Sequence, residues 1–101
     1  MLLDTRDKRP VHFVGIAGAG MRALAELFVR RGASVTGCDN SIEAASDLSA
    51  KGIQLLGAHD ASHVEGARGL VVSSAINREI PELVRARELG IPVVRRAEAL
   101  G

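Results

Sequence analysis

Val11-His12-Phe13-Val14-Gly15-Ile16-Ala17-Gly18-Ala19-Gly20-Met21 is the stretch whose reading decides the fold. It is a short apolar run, a glycine-rich turn, and then the start of a helical pattern. A strand that passes through a turn poor in side chains into a helix start is suited to holding a phosphate. Backbone N–H groups can reach the anion there, and the helix N-terminus adds a partial positive charge. Against the dinucleotide fingerprint G-x-G-x-x-G the chain reads Gly15-Ile16-Ala17-Gly18-Ala19-Gly20. Ala17 stands where the middle glycine would be, and its methyl narrows the approach of a pyrophosphate, while Gly18 is an extra glycine. The strand–turn–helix context favours an anion or nucleotide over a purely structural turn.

Working outward, the apolar run 11–16 is the first strand. Met21, Leu24, Ala25 and Phe28 then recur at i, i+3, i+4 and i+7, which predicts a helix with one apolar face. Gly32 ends it, with Arg30 and Arg31 in the last turn, where cations suit the helix dipole. Residues 33–38 read as a second strand ending at Asp39. A second helix is expected over 42–51, capped by Asn40 or Ser41 and stopped by Gly52. Residues 53–56 form a short third strand, and 57–63 a loop, with one helical turn over 61–65. A fourth, fully buried strand spans 70–73, and 74–78 is a loop. A third helix covers 80–89 with Pro81 in its first turn, and a fifth strand covers 91–94. Residues 95–101 begin a further helix or linker, and 1–10 read as a loose, flexible leader.

Gly32, Gly52 and Gly90 each close a helix and precede a β-branched strand. Strands alternating with helices at this spacing imply a parallel sheet of right-handed βαβ units. The expected class is α/β: a Rossmann-like doubly wound sheet of about five strands in the order 3-2-1-4-5. Its ligand crevice lies beyond the carboxyl ends of the strands, where strands 1 and 4 diverge.

Composition bounds the rest. The chain has 101 residues, 47% hydrophobic and 25% charged, enough for one small folded domain. A net charge of +1, two Phe and no Trp or Tyr argue against a nucleic-acid partner. No apolar run approaches a membrane span, so no membrane insertion is expected. The single cysteine, Cys38, excludes an internal disulfide and is compatible with a reducing compartment.

Asp39 lies at the end of the second strand, about 20 residues beyond the turn, where dinucleotide folds place the acid that binds ribose. The alternative is that it caps the following helix. Ser73 and Ser74 end the fourth strand across the crevice. They offer hydroxyls to a phosphate or sugar, or bond their own backbone. No Gly-x-Ser-x-Gly elbow makes either a nucleophile. His59 and His63 share the four-residue spacing of zinc ligands, but no neighbouring Cys or third His completes a set, and no metal site is expected. His59 could contact a ligand instead. His63 reads as a surface residue, His12 as a packed or edge strand residue and Cys38 as a small buried one. Arg95 and Arg96 either reach an anion or form a solvated pair. The chain has no G-x-x-x-x-G-K-[ST] loop, and its lysines are Lys8 and Lys51 alone. The domain reads as a ligand holder with no catalytic residues.

These residues resemble the opening of the Mur ligase family. The resemblance runs through His12 to Met21, then Gly37-Cys38-Asp39, Gly57-Ala58-His59 and Val71-Val72-Ser73-Ser74-Ala75-Ile76. It continues through Ile80-Pro81-Glu82, Gly90-Ile91-Pro92-Val93 and Arg96-Ala97-Glu98. It covers residues 11–101. It implies a UDP-binding N-terminal domain for UDP-N-acetylmuramic acid in a cytoplasmic, ATP-dependent step of peptidoglycan synthesis, in which L-alanine joins the muramate carboxylate. It implies no cofactor in this domain; ATP and Mg2+ would be held by a central domain, and a C-terminal domain would bring the amino acid. Both are expected to lie outside this chain, which should bind but not catalyse. By position, Gly15, Ala17, Gly18, Ala19, Gly20 and Met21 would line the diphosphate. Asp39, His59, Ser73 and Ser74 would surround the uridine and diphosphate, with Arg96 as a further contact. Arg22, where the family commonly has Ser, would add a cation that a diphosphate favours. The alternatives are a murein-tripeptide recycling ligase within the family, an NAD-binding or regulatory module, and a structural interaction domain.

Overall fold

The computed structural model describes residues 6–73 and 76–99. Five strands, β1 (Val11–Val14), β2 (Val35–Cys38), β3 (Gln54–Leu55), β4 (Gly69–Val72) and β5 (Val93–Arg95), form one parallel sheet in the order β3-β2-β1-β4-β5. That is the order expected from the βαβ pattern. Two α-helices, α1 (Ala19–Arg30) and α2 (Pro81–Leu89), connect strands, together with 3₁₀ helices Ile42–Lys51 and Ala61–Val64; a third, Arg96–Glu98, follows β5. The three central strands are buried along their whole length, because helical segments cover both faces of the sheet.

Alternation along the strands sorts residues between two cores. Val11 and Phe13 of β1, Val35 of β2 and Val71 of β4 pack with Met21, Leu24, Ala25 and Phe28 of α1. Val14, Cys38, Leu70 and Val72 pack with Val64, Leu83 and Ala86 on the other face. The apolar stripe on α1 is the one its spacing predicts. Gly37 is required where Ile16 crosses β2, since a Cβ at 37 would overlap the Ile16 side chain.

Element ends differ from the sequence expectation for local reasons. β1 stops at Val14 because Gly15 turns the chain at φ +80°, although Ile16 stays in the core. β3 starts at Gln54, since the Ile53 N–H is taken by the Leu48 carbonyl at 3.2 Å. β5 starts at Val93, after Pro92, which lacks an N–H and supplies its carbonyl to Leu70 at 2.9 Å. The second helix occupies residues 42–51 as expected but is 3₁₀. Three residues per turn stack Ile42, Ala45 and Leu48 on one side, all packed in the first core. Neither Asn40 nor Ser41 caps it through a side chain; Asp39 Oδ1 accepts the Ser41 N–H at 2.8 Å. In the described part of the segment 1–10, Asp7 pairs with Arg9 at 2.7 Å, and the Pro10 carbonyl accepts from the Arg68 amide at 2.9 Å. No described helix is long and apolar enough to cross a membrane.

Candidate functional site

The parallel register assembles the site. Val14 pairs with Cys38 on one side and Val72 on the other. The residues that follow these three, Gly15, Asp39 and Ser73, therefore leave the sheet side by side at its carboxyl edge. The Gly15 and Ile16 amides donate to the Cys38 carbonyl at 2.9 and 3.1 Å, and the Ala17 amide donates to Asp39 Oδ2 at 3.0 Å. Asp39 thus organises both the glycine turn, through Oδ2, and the start of the 3₁₀ helix 42–51, through Oδ1. Of the two roles weighed from sequence, ribose binding and a local cap, the bond to the Ser41 amide is of the second kind.

The turn closes with Gly18 N–H to Gly15 carbonyl at 3.2 Å, and the Gly18 carbonyl accepts from Arg22 N–H at 2.9 Å. The amides of Ala19, Gly20 and Met21 form the first turn of α1, where a helix has no internal acceptors. Among the described residues none accepts from them. Ala19 and Gly20 are exposed, so two of these amide donors at a positive helix end face open space, and the third belongs to the buried Met21. A Cβ at Gly20 would meet the Arg96 guanidinium at 3.0 Å. Arg96, distant in sequence, thus lies against the turn.

Two expectations for this region need correcting. The Met21 side chain does not line the turn; it is 3% exposed and packs in the first core, leaving its backbone amide alone for an anion. Arg22 does not present its charge to the crevice. Its guanidinium donates to the Ala44 carbonyl at 2.9 Å and pairs with Asp47, tying α1 to the 3₁₀ helix 42–51. Ser73 stands where expected, its carbonyl accepting from Ile76 N–H at 3.3 Å. Ser74 lies outside the described residues. A cavity of about 540 Å³ opens one strand further along, between the ends of β4 and β5 and α2. Ser73 borders it, with Arg78, Arg87, Arg95 and Glu98.

His59 belongs to a polar cluster beneath the site. Its Nδ1 lies 3.1 Å from Oε2 of Glu82, a fully buried residue at the start of α2. The same oxygen accepts from Asp60 N–H (3.1 Å) and Cys38 Sγ–H (3.0 Å), and meets His63 Nδ1 at 3.2 Å. Burial, the largest single effect on Glu82, pushes its carboxyl up. The hydrogen bonds from Cys38, its own and the Asp60 backbone, and His59 outweigh that and hold it below the usual range. His12 continues the cluster, with Nε2 3.2 Å from Cys38 Sγ and Nδ1 2.7 Å from Thr36 Oγ1. Burial, then the neighbouring His63, pushes His12 down to about 4. Burial first and the Glu82 carboxylate second push the Cys38 thiol up. His63 is not the surface residue its sequence context implied: its side chain is 9% exposed. Glu82 entered the sequence reading only within Ile80-Pro81-Glu82 and with no role; its place after Pro81, in the first turn of α2, is the sequence feature that marks a carboxylate at a helix start.

The profile described as "Mur ligase family, catalytic domain" matches residues 10–101. A curated UDP-N-acetylmuramate–L-alanine ligase of Rhodopseudomonas palustris (strain HaA2) is 52% identical over 96 residues, which is 94% of this chain and 20% of that protein. The crystal structure of UDP-N-acetylmuramate-alanine ligase MurC from Thermotoga maritima superposes with a TM-score of 0.83 at 30% identity, over 91% of this chain and 22% of that one. That of the UDP-N-acetylmuramate:L-alanyl-gamma-D-glutamyl-meso-diaminopimelate ligase from Neisseria meningitides gives a TM-score of 0.81 at 26% identity, over 93% of this chain and 30% of that one. The chain therefore spans about a fifth of the length of the curated relative.

Proposed function

The chain belongs to the Mur ligase family, and on that premise we propose that it binds the UDP part of UDP-N-acetylmuramic acid. It would do so as the N-terminal domain of a cytoplasmic ligase that joins L-alanine to the muramate carboxylate. The observation that carries this reading is the group of unpaired Ala19, Gly20 and Met21 amides at the start of α1, beside Asp39 and Ser73. An anion held there meets three N–H donors and the positive end of the helix, with the Arg96 guanidinium against Gly20. Gly15, Ala17 and Gly18 shape the turn, Asp39 and His59 lie towards β2 and β3, and Ser73, followed in sequence by Ser74, borders the other side.

ATP and Mg2+ do not fit the residues of this chain. It has no phosphate loop of the ATP type, and no lysine in the turn. The ATP-dependent activation and the amino-acid site therefore belong to other domains of the full-length enzyme, which are this domain's expected partners. The chain's own contribution is to bind and orient the nucleotide end of the substrate. The murein-peptide ligase reading shares the same UDP-sugar and differs in the amino component.

The test is a titration of the 101-residue chain with UDP-N-acetylmuramate, UDP and NAD, followed by amide shifts. Shifts centred on Gly18, Gly20 and Ser73 with the UDP ligands support the proposal, and tighter binding of NAD overturns it. Gly18 has ordinary extended backbone (φ −63°, ψ 142°), so Gly18→Val leaves the fold intact. Its side chain obstructs the turn, and UDP affinity should fall at least about tenfold, roughly 1.4 kcal/mol. Unchanged affinity in that variant would remove the turn from the site.

A further inference from the structure

The second face of the sheet carries a side-chain cluster that the nucleotide site does not use. One potential ligand atom from each of His12, Cys38, His63 and Glu82 lies within 4.8 Å of all the others. The contacts along its edges are 3.2 Å from His12 Nε2 to Cys38 Sγ, 3.0 Å from Cys38 Sγ to Glu82 Oε2, and 3.2 Å from His63 Nδ1 to Glu82 Oε2. A tetrahedron built on Zn–N of ~2.0 Å and Zn–S of ~2.3 Å has edges of about 3.3–3.6 Å. Three of the six edges lie within a few tenths of an ångström of those lengths, and the other three are no longer than 4.8 Å, so the ligand atoms must draw in along those to surround one ion.

Protons are unevenly shared in the cluster: Glu82 Oε2 faces Cys38, His59, His63 and the Asp60 amide, while His12 Nε2 faces Cys38. Assigning the His12 ring proton to Nδ1, where Thr36 Oγ1 accepts it, leaves the Nε2 lone pair facing Cys38. The single thiol proton then has two acceptors, His12 Nε2 and Glu82 Oε2. The other carboxylate oxygen, Glu82 Oε1, is buried with no hydrogen-bond partner among the described residues. A cation held at Oε2 would offset the charge of the whole buried carboxylate, Oε1 included.

We propose that His12, Cys38, His63 and Glu82 form a closed structural site for Zn2+ or a similar borderline-soft divalent ion. Thiolate and imidazole donors fit zinc and not Mg2+ or Ca2+, which take oxygen ligands. On binding, the Cys38 thiol proton passes to solvent and the ring proton of neutral His63 resides on Nε2, which frees Nδ1; sulfur and nitrogen then donate their lone pairs to the metal, with no change of oxidation state. Thr36 on His12, and His59 and the Asp60 amide on Glu82, supply the outer hydrogen bonds that orient the ligands. The ligands come from β1, β2, the 3₁₀ helix 61–64 and α2, so the ion clamps the β3–β4 connection onto α2 directly behind Asp39. The site stands independently of the UDP reading.

The probe is Co2+, then Zn2+, added to the EDTA-stripped 101-residue chain. The expected result is one Co2+ per chain, with the visible bands of tetrahedral cobalt and a thiolate-to-cobalt charge-transfer band, both lost as Zn2+ displaces it. Cys38 is the only cysteine, so that band on folded wild-type protein reports this site by itself, whether or not a variant folds. Cys38→Ser should abolish the band, and His63→Asn should weaken Co2+ binding at least about tenfold. Folded wild-type chain that binds no Co2+, or binds it without the charge-transfer band, overturns the proposal. So does a folded His63→Asn chain with unchanged affinity.

Discussion

The two faces of the sheet are built from neighbouring residues and follow opposite chemistry. On one, Phe13 and Phe28 meet edge to face at 5.4 Å amid aliphatic side chains. On the other, His12, one residue before Phe13, starts a buried chain of polar contacts through Cys38 to Glu82, His59 and His63. The first face is held by area and close packing, and tolerates no change of volume. The second is held by donors and acceptors, and is sensitive to protons and ions instead. Its polar groups lie directly behind the ends of β1 and β2, from which the glycine turn and Asp39 emerge, so site geometry and proton inventory are coupled there.

Four perturbations test that contrast, from the largest effect to the smallest. Phe28→Ala removes the ring at the centre of the apolar face and should cost about 3–5 kcal/mol, read from urea unfolding. A loss of under about 1 kcal/mol would show that this face is not what holds the fold. On the polar face, acid is the probe. Burial first, and then the neighbouring His63, push His12 down to about 4 in the folded chain against an ordinary 6.5; Glu82 opposes this and His59 adds to it. The unfolded chain therefore takes up this proton first. The stability involved is fully present above pH 6.5 and is lost as pH falls towards 4, by about 3 kcal/mol. The check is the pH dependence of unfolding in chelator-treated chain, wild type against His12→Asn. Equal slopes between pH 6.5 and 4 would contradict the assignment.

Gly37→Ala places a methyl against Ile16 on the apolar face and should cost about 1–3 kcal/mol. Combining it with Ile16→Val should recover part of that loss, and no recovery would point to the backbone instead. Outside both faces, Arg22→Ala breaks the pair with Asp47, which is half exposed. Its cost should be about 0–1 kcal/mol by thermal melting, and UDP affinity should change little, since the guanidinium points away from the turn. A large loss of affinity would return Arg22 to the binding site.

Much of the fold was legible because its signals are local. The spacing of Met21, Leu24, Ala25 and Phe28, and the left-handed glycines at 52 and 90, depend on residues within one or two turns. The same holds for the glycine turn and for Asp39 at the strand end. Met21 was legible as a core residue from its helical spacing, and its side chain packs there while its amide belongs to the first turn of α1. Arg22 was misread because its partners, Ala44 and Asp47, lie on an element whose packing against α1 no local pattern encodes. The 3₁₀ winding of residues 42–51 was hidden for a similar reason: the apolar spacing of Ile42, Ala45 and Leu48 serves either helix, and contact with the core selects one.

By itself the sequence determined the α/β class, the strand order and the place of the glycine turn, because periodicity and turn chemistry act over a few residues. The tertiary structure alone decided what lies behind that turn. His12, Cys38, His63 and Glu82 sit on four different elements, and no spacing between them resembles a motif. They meet because the parallel register sets β1 against β2, and because α2 packs over the 3₁₀ helix 61–64. Long-range register and packing, and not local preference, turned a strand histidine, a lone cysteine and a helix-start glutamate into one buried site.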